Sequence, residues 1–183
     1  MNAPETTAVL REEHVRILQI ASALEKLLDV RPAPLDLDTV QKCVRFFRLF
    51  ADACHHGKEE DLLFPELESR GMPHKSGPIA VMLHEHRLGR EFVGAMADAV
   101  EGAREGDERA MSRLVNAGRG YIDLIRAHIT KEDHVLFNMA DQMVDAPACQ
   151  RLCAAYDDVC ESSFEGCTKA QLEALADDIL QTI

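Results

Sequence analysis

Tryptophan is absent from the 183 residues, and aromatic side chains make up only 5% of them. The ten glycines and seven prolines are few and fall in clusters, so long stretches are left free for helix. A remainder rich in Ala, Leu, Glu and Arg points the same way, to an all-α fold. Basic runs are missing too: 20 Lys and Arg stand against 32 Asp and Glu, for a net charge of −12. Without a phosphate-tracking stripe, nucleic acid is not an expected partner. No apolar run approaches the roughly 20 residues that cross a bilayer, and residues 1–30 show no basic start followed by an apolar signal core. No membrane contact and a cytoplasmic location are expected. The six cysteines, at 43, 54, 149, 153, 160 and 167, form no C-x-x-C pair, and reduced thiols are the expected state. A chain this long buries a hydrophobic interior unaided, so a metal would serve function rather than staple the fold.

Helical periodicity begins near residue 7 and runs to about 29, with Leu10, Ile17, Leu18, Ala21, Leu24 and Leu28 on one stripe. Arg31-Pro-Ala-Pro34 ends it. Asp36 or Asp38 caps a second helix expected over 39–68, with Pro65 distorting its last turn. Ser76-Gly-Pro78 opens a third, to about residue 105. Asp107 caps a fourth over 108–144, in which Gly118 and Gly120 allow a bend. Shorter helices follow at 148–163 and 169–181, the second opened by Thr168-Lys-Ala-Gln171 in capping-box form. Short connectors favour antiparallel neighbours. The expected architecture is an up-down-up-down four-helix bundle over residues 1–145, with a helical extension, 146–183, packed on it.

The second and fourth helices carry an internal repeat. His55-His-Gly-Lys-Glu59-Glu-Asp-Leu-Leu-Phe64-Pro stands beside His128-Ile-Thr-Lys-Glu132-Asp-His-Val-Leu-Phe137-Asn, and both read H-x-x-K-E-[ED]-x-[LV]-L-F. Residues four apart lie one above the other on a helix face, about 6 Å along the axis. Each helix thus offers one imidazole and one carboxylate to one place. His14 in the first helix and His86 in the third, each among apolar residues, supply two more nitrogens. Four imidazoles with two bridging glutamates suit iron, manganese or zinc better than calcium or magnesium.

These segments resemble the hemerythrin and HHE cation-binding family from about residue 8 to 142, with His14, His55-x-x-x-Glu59, His86 and His128-x-x-x-Glu132 on its motif positions. The flanks Lys58-Glu-Glu-Asp-Leu-Leu-Phe-Pro65, Gly77-Pro-Ile-Ala-Val-Met82 leading to Glu85-His86, and Val135-Leu-Phe137 are similar to those of di-iron proteins associated with iron-sulfur cluster repair. The resemblance implies a left-handed bundle around two non-haem Fe ions, oxo- or hydroxo-bridged, with Zn or Mn as substitutes. Its implied partner is dioxygen, nitric oxide or peroxide, bound or reduced. Iron storage, delivery or sensing, including a part in cluster repair, is the alternative. Oxygen carriers of the family place a fifth histidine four residues from the third helix's ligand, where this chain has Met82 and Arg90. The repair proteins carry an extra N-terminal domain with a reactive cysteine, whereas this chain opens almost directly on its first helix.

Several positions admit more than one role. His56-x-x-x-Glu60 is a second frame, shifted by one residue and turned about 100°. The repeat favours His55 with Glu59, because Glu59 and Glu132 each stand five residues before a Phe, and His56 is then a neighbour of the ligands. His84 and His134 are expected at the surface or between helices, and His74 in a turn. Cys149, Cys153, Cys160 and Cys167 trace a rough helical stripe that reads as a packing seam, with a thiol-based redox or metal role as the sharper alternative. Leu62, Met82, Ile125 and Val135 are the expected walls of a ligand pocket. A homodimer through the last two helices, with the metal merely structural, is a further reading. Ferritin-like di-iron proteins rank below these, because they carry E-x-x-H and more carboxylates.

Overall fold

A computed structural model of the chain describes residues 6–29 and 34–183; most of the expected break at 31–34 lies outside them. The first helix, α1, is Ala8–Asp29. A second helical run is built from α2 (Leu37–Phe46), π-helical stretches at Phe47–His56 and Glu59–Leu63, and α3 (Phe64–Ser69). Asp36 caps it by accepting the backbone N–H groups of Asp38 and Thr39. Next comes α4 (Gly77–Arg104), which begins behind Ser76 without a side-chain cap bond and has proline in its first turn. Asp107 caps α5 (Glu108–Lys131), which continues through a π-helical stretch, Glu132–Leu136, into α6 (Phe137–Met143). The described residues are all-α apart from one small hairpin.

Gly118 and Gly120 do not interrupt α5. They let neighbours approach instead: a Cβ on Gly118 would lie 2.7 Å from Leu28 Cδ1, and one on Gly120 would lie 2.5 Å from Phe92 Cε1. The wide turns fall inside the repeat. Phe64 N–H bonds back to the Glu59 carbonyl and Phe137 N–H to the Glu132 carbonyl, a step of five residues that broadens the helix. Proline is not the cause, since the turn recurs before Asn138.

Beyond α6, α7 (Ala146–Glu161) ends earlier than expected. A hairpin follows, pairing β1 (Ser163–Phe164) with β2 (Cys167–Thr168) in antiparallel register. Its turn residues, Glu165 and Gly166, have φ of 49° and 80°, the left-handed pair that a two-residue hairpin requires. Then α8 (Lys169–Thr182) opens with the Thr168/Gln171 capping box.

The buried apolar side chains form two clusters. One holds Ile17, Ala51, Val93 and Ile125; the other holds Leu10, Leu63, Met82 and Leu136. In α1 and α4 the chain passes from the second cluster to the first, and in the other two runs from the first to the second. His14, His55, His86 and His128 lie at the crossing between clusters on each run. Cys149, Leu152 and Tyr156 of α7 join the second cluster, and Leu172, Ala176 and Ile179 of α8 join the first. Among the described residues no helix is long and apolar enough to cross a membrane.

Candidate metal centre

His14, His55, Glu59, His86, His128 and Glu132 are all buried and converge between the two apolar clusters. Glu59 spans two imidazoles, with Oε1 3.7 Å from His55 Nε2 and Oε2 3.4 Å from His86 Nε2. Glu132 spans the other two: its Oε2 lies 3.1 Å from His14 Nε2 and 3.2 Å from His128 Nε2. None of these approaches has hydrogen-bonded geometry. Four Nε2 atoms and all four glutamate oxygens are therefore buried without a hydrogen-bond partner among the described residues.

A fifth imidazole joins them. His56 Nε2 is buried and unpartnered as well, and its ring stacks on His86 with centroids 3.8 Å apart. The potential ligand atoms fall into two sets, each within 4.8 Å: His14, His55, Glu59 and Glu132; and His56, His86, His128 and Glu59. The expectation that His56 points aside assumed α-helical spacing, whereas His55 and His56 end a π-helical stretch. There the broader turn separates consecutive side chains by less than the α-helical angle, so both face inward.

The outward nitrogens explain why every Nε2 faces in. His14 Nδ1 lies 2.8 Å from Asp133, His55 Nδ1 3.0 Å from Glu13, His56 Nδ1 3.3 Å from Asp52, His86 Nδ1 2.7 Å from Glu60, and His128 Nδ1 3.0 Å from Glu85. A carboxylate only accepts, so each Nδ1 donates, and each ring in its neutral form turns its Nε2 lone pair to the centre. The pattern is two-fold. Glu13 precedes His14 and receives Lys58, while Glu85 precedes His86 and receives Lys131. Phe137 stacks on His14 and Phe64 on His86. Thus the Lys, the second acidic residue and the Phe of the repeat all serve the histidines. His56 alone breaks the symmetry, since its counterpart in the other copy is Ile129.

The donors fit a cation. Each unsatisfied buried polar group costs about 1–3 kcal/mol, and buried unpaired charge costs more. Burial and the charge of Glu132 push the Glu59 carboxyl well above the usual range. Burial opposes ionisation of Glu132 as well, but His128 and His14 outweigh it and hold that carboxyl well below. Burial holds His55, His56 and His86 down to about 3. At His128 burial is outweighed by Glu132 and Glu85, and its pKa rises to about 9. Without metal, the raised His128 thus meets the charge of Glu132. Cations would take that place at neutral pH.

The hemerythrin HHE cation binding domain matches residues 5–140. The chain belongs to the hemerythrin HHE cation-binding family. It is also 25% identical over 130 residues to uncharacterized proteins of Mycobacterium bovis (Mb2018) and Mycobacterium tuberculosis (Rv1995), covering 71% of this chain and 49% of each relative. It thus spans about half the length of the curated relatives it matches. No solved structure matches it significantly.

In this HHE domain a cavity of about 300 Å³ reaches His56, His86 and His128 between Phe47–His56, α4 and α5. Phe47, Val93, Tyr121 and Ile125 form apolar walls, and Arg48, Asp52, Arg90 and Asp98 also line it. Of the four residues expected to shape a pocket, only Ile125 lines this one. Leu62 and Met82 belong to the other cluster, and Val135 is 48% exposed. An exposed valine followed a helix face that the wide turn at 132–136 had rotated. Arg90 donates to both Asp52 and Glu60, at 2.8 Å each, and so positions the acceptors of His56 and His86. His74, His84 and His134 are exposed.

Proposed function

We propose that the chain is a non-haem di-iron protein in which His14 and His55 hold one ion, His56, His86 and His128 hold the other, and Glu59 and Glu132 lie between them. The observation that carries this reading is the set of five inward Nε2 atoms and four glutamate oxygens, buried and unpartnered, behind five Nδ1 atoms each fixed by a carboxylate. Imidazole-rich donors with two carboxylates suit iron, with Zn or Mn as substitutes. The alternating passage between apolar clusters supports an up-down-up-down bundle over residues 1–145, with 146–183 packed against it as an extension.

When bound, the iron pair supplies electrons and open positions for a small ligand such as dioxygen, nitric oxide or peroxide. The chain's own part is positional. Phe47, Val93, Tyr121 and Ile125 exclude water from the approach to the His56, His86 and His128 side, while Asp52, Glu60 and Glu85 keep those rings in their donor tautomer. Iron storage, delivery or cluster repair calls for labile metal, and a carboxylate clamp on every imidazole favours retention. A homodimer through α7 and α8 would need an apolar face, yet Leu152, Tyr156, Leu172 and Ile179 are spent on the chain's own interior. Reduced cysteines suit a cytoplasmic setting.

Reduced, iron-loaded protein exposed to dioxygen or to nitric oxide should develop a new visible absorption band. An unchanged spectrum with both gases, from protein shown to contain iron, would refute the ligand-binding reading.

A further inference from the structure

One buried cluster beside the histidine site contains groups that the proposed function leaves unused. Glu13, 3% exposed, accepts from Lys58 at 2.5 Å and from Lys169 at 2.7 Å, besides its contact with His55 Nδ1. Lys169, the first residue of α8, also donates to Cys160 Sγ at 3.5 Å. A Glu13 carboxylate oxygen and the sulfurs of Cys54 and Cys160 all lie within 4.8 Å of one another. Cys54 is buried on the stretch that carries His55, and Cys160 is half-buried near the end of α7.

Those donors resemble a third cation site, but two ammonium groups already occupy the carboxylate, and a cation would have to displace them. The same ammonium favours a different chemistry, because Lys169 places positive charge beside the sulfur that solvent can reach. We infer that Cys54 and Cys160 form a redox-active dithiol that peroxide oxidises to an intramolecular disulfide. Cys160 sulfur attacks one peroxide oxygen and the O–O bond breaks. One oxygen stays on sulfur as the sulfenic acid, and the other leaves as water. Cys54 sulfur then attacks Cys160 sulfur, the S–O bond breaks, the S–S bond forms and a second water leaves. The two thiols lose two electrons, peroxide gains them, and both thiol protons end in the two waters.

The sulfurs must close to about 2 Å for the bond to form. Cys160 has the latitude, standing one residue from the end of its helix, while Cys54 is fixed in the interior. The product would tie the helix that carries His55 and Glu59 to the C-terminal extension across 106 positions of sequence. Reversible oxidation of this kind is how disulfides are used in reducing compartments.

The test uses the full-length, metal-free, fully reduced protein, so its outcome is independent of iron. After treatment with hydrogen peroxide, remaining thiols are alkylated and the chain is cleaved after basic and then aromatic residues, which separates Cys153, Cys160 and Cys167. Alkylatable thiols should fall from six to four, with one linked pair joining the Cys54 and Cys160 peptides. Cys54→Ser should leave a sulfenic acid on Cys160 that dimedone traps, and Lys169→Gln should slow disulfide formation several-fold. The idea is overturned if the first link joins Cys149 to Cys153, whose sulfurs lie 4.0 Å apart, or Cys160 to Cys167. It is equally overturned if Cys54 keeps its thiol while Cys160 oxidises further.

Discussion

Glu13 and Glu85 play the same part on the two sides of the site but at different depths, and replacing each by glutamine separates charge burial from ligand positioning. Glu13 and its partner Lys58 are 3% and 0% exposed, whereas Glu85 and Lys131 are 13% and 39% exposed. Glu13→Gln leaves the Lys58 ammonium buried without a counter-charge, and breaking such a pair costs about 3–5 kcal/mol. Glu85→Gln lets Lys131 reach water, so the loss is that of an exposed pair, about 0–1 kcal/mol. Both variants weaken the acceptor at an imidazole Nδ1, on His55 or His128, and each should lower metal affinity about 10–100-fold. Urea unfolding of the metal-free proteins reads the first effect, and competition with a chromophoric chelator for ferrous ion reads the second. A stability gap of about 2 kcal/mol or more, with comparable losses of affinity, is expected. Equal stability losses, or metal affinity untouched in both variants, would refute the reasoning.

Three further outcomes follow from the same geometry. His56→Ile, which copies Ile129 of the other repeat, should weaken one of two bound irons at least about tenfold and leave the other unchanged by chelator competition; two equally weakened sites would contradict the asymmetric ligand set. Metal-free protein should lose stability as the pH falls from about 5.5 to 4.5, below the range in which the raised His128 opposes. There the unfolded chain binds protons at three imidazoles that burial holds at about 3 when folded, while the raised Glu59 opposes with one. Stability therefore rises with pH by about 2–3 kcal/mol per unit in that window, and a flat urea midpoint would count against it. Gly94→Leu should slow ligand association several-fold in stopped flow, because Gly94 lines the cavity, while helix propensity stabilises the protein by about 0.5–1 kcal/mol. Unchanged association would move the ligand's route elsewhere.

Much of the site was legible because the repeat carries more than its ligands. H-x-x-K-E-[ED]-x-[LV]-L-F fixes the imidazole and glutamate. It also supplies Lys58 and Lys131, Glu60 and Asp133, and Phe64 and Phe137, whose contacts with Glu13, Glu85, His86 and His14 emerge only in three dimensions. The Glu-His dipeptides at 13–14 and 85–86 were a readable signal for those acceptors. Helix positions followed from caps and periodicity, with Asp36, Asp107 and Thr168 serving as expected. What could not be read was the π-helical spacing. Periodicity assumes 3.6 residues per turn, and the wider turns brought His56 inward and left Val135 outside. Gly118 and Gly120 read as a bend because sequence does not show Leu28 and Phe92 lying against them.

In the proposed centre five imidazoles and two glutamates hold two ions. Anaerobic titration of the metal-free chain with ferrous iron, followed by desalting and metal analysis, tests it most directly. Two irons retained per chain is the predicted result. A single iron, or none, would contradict it.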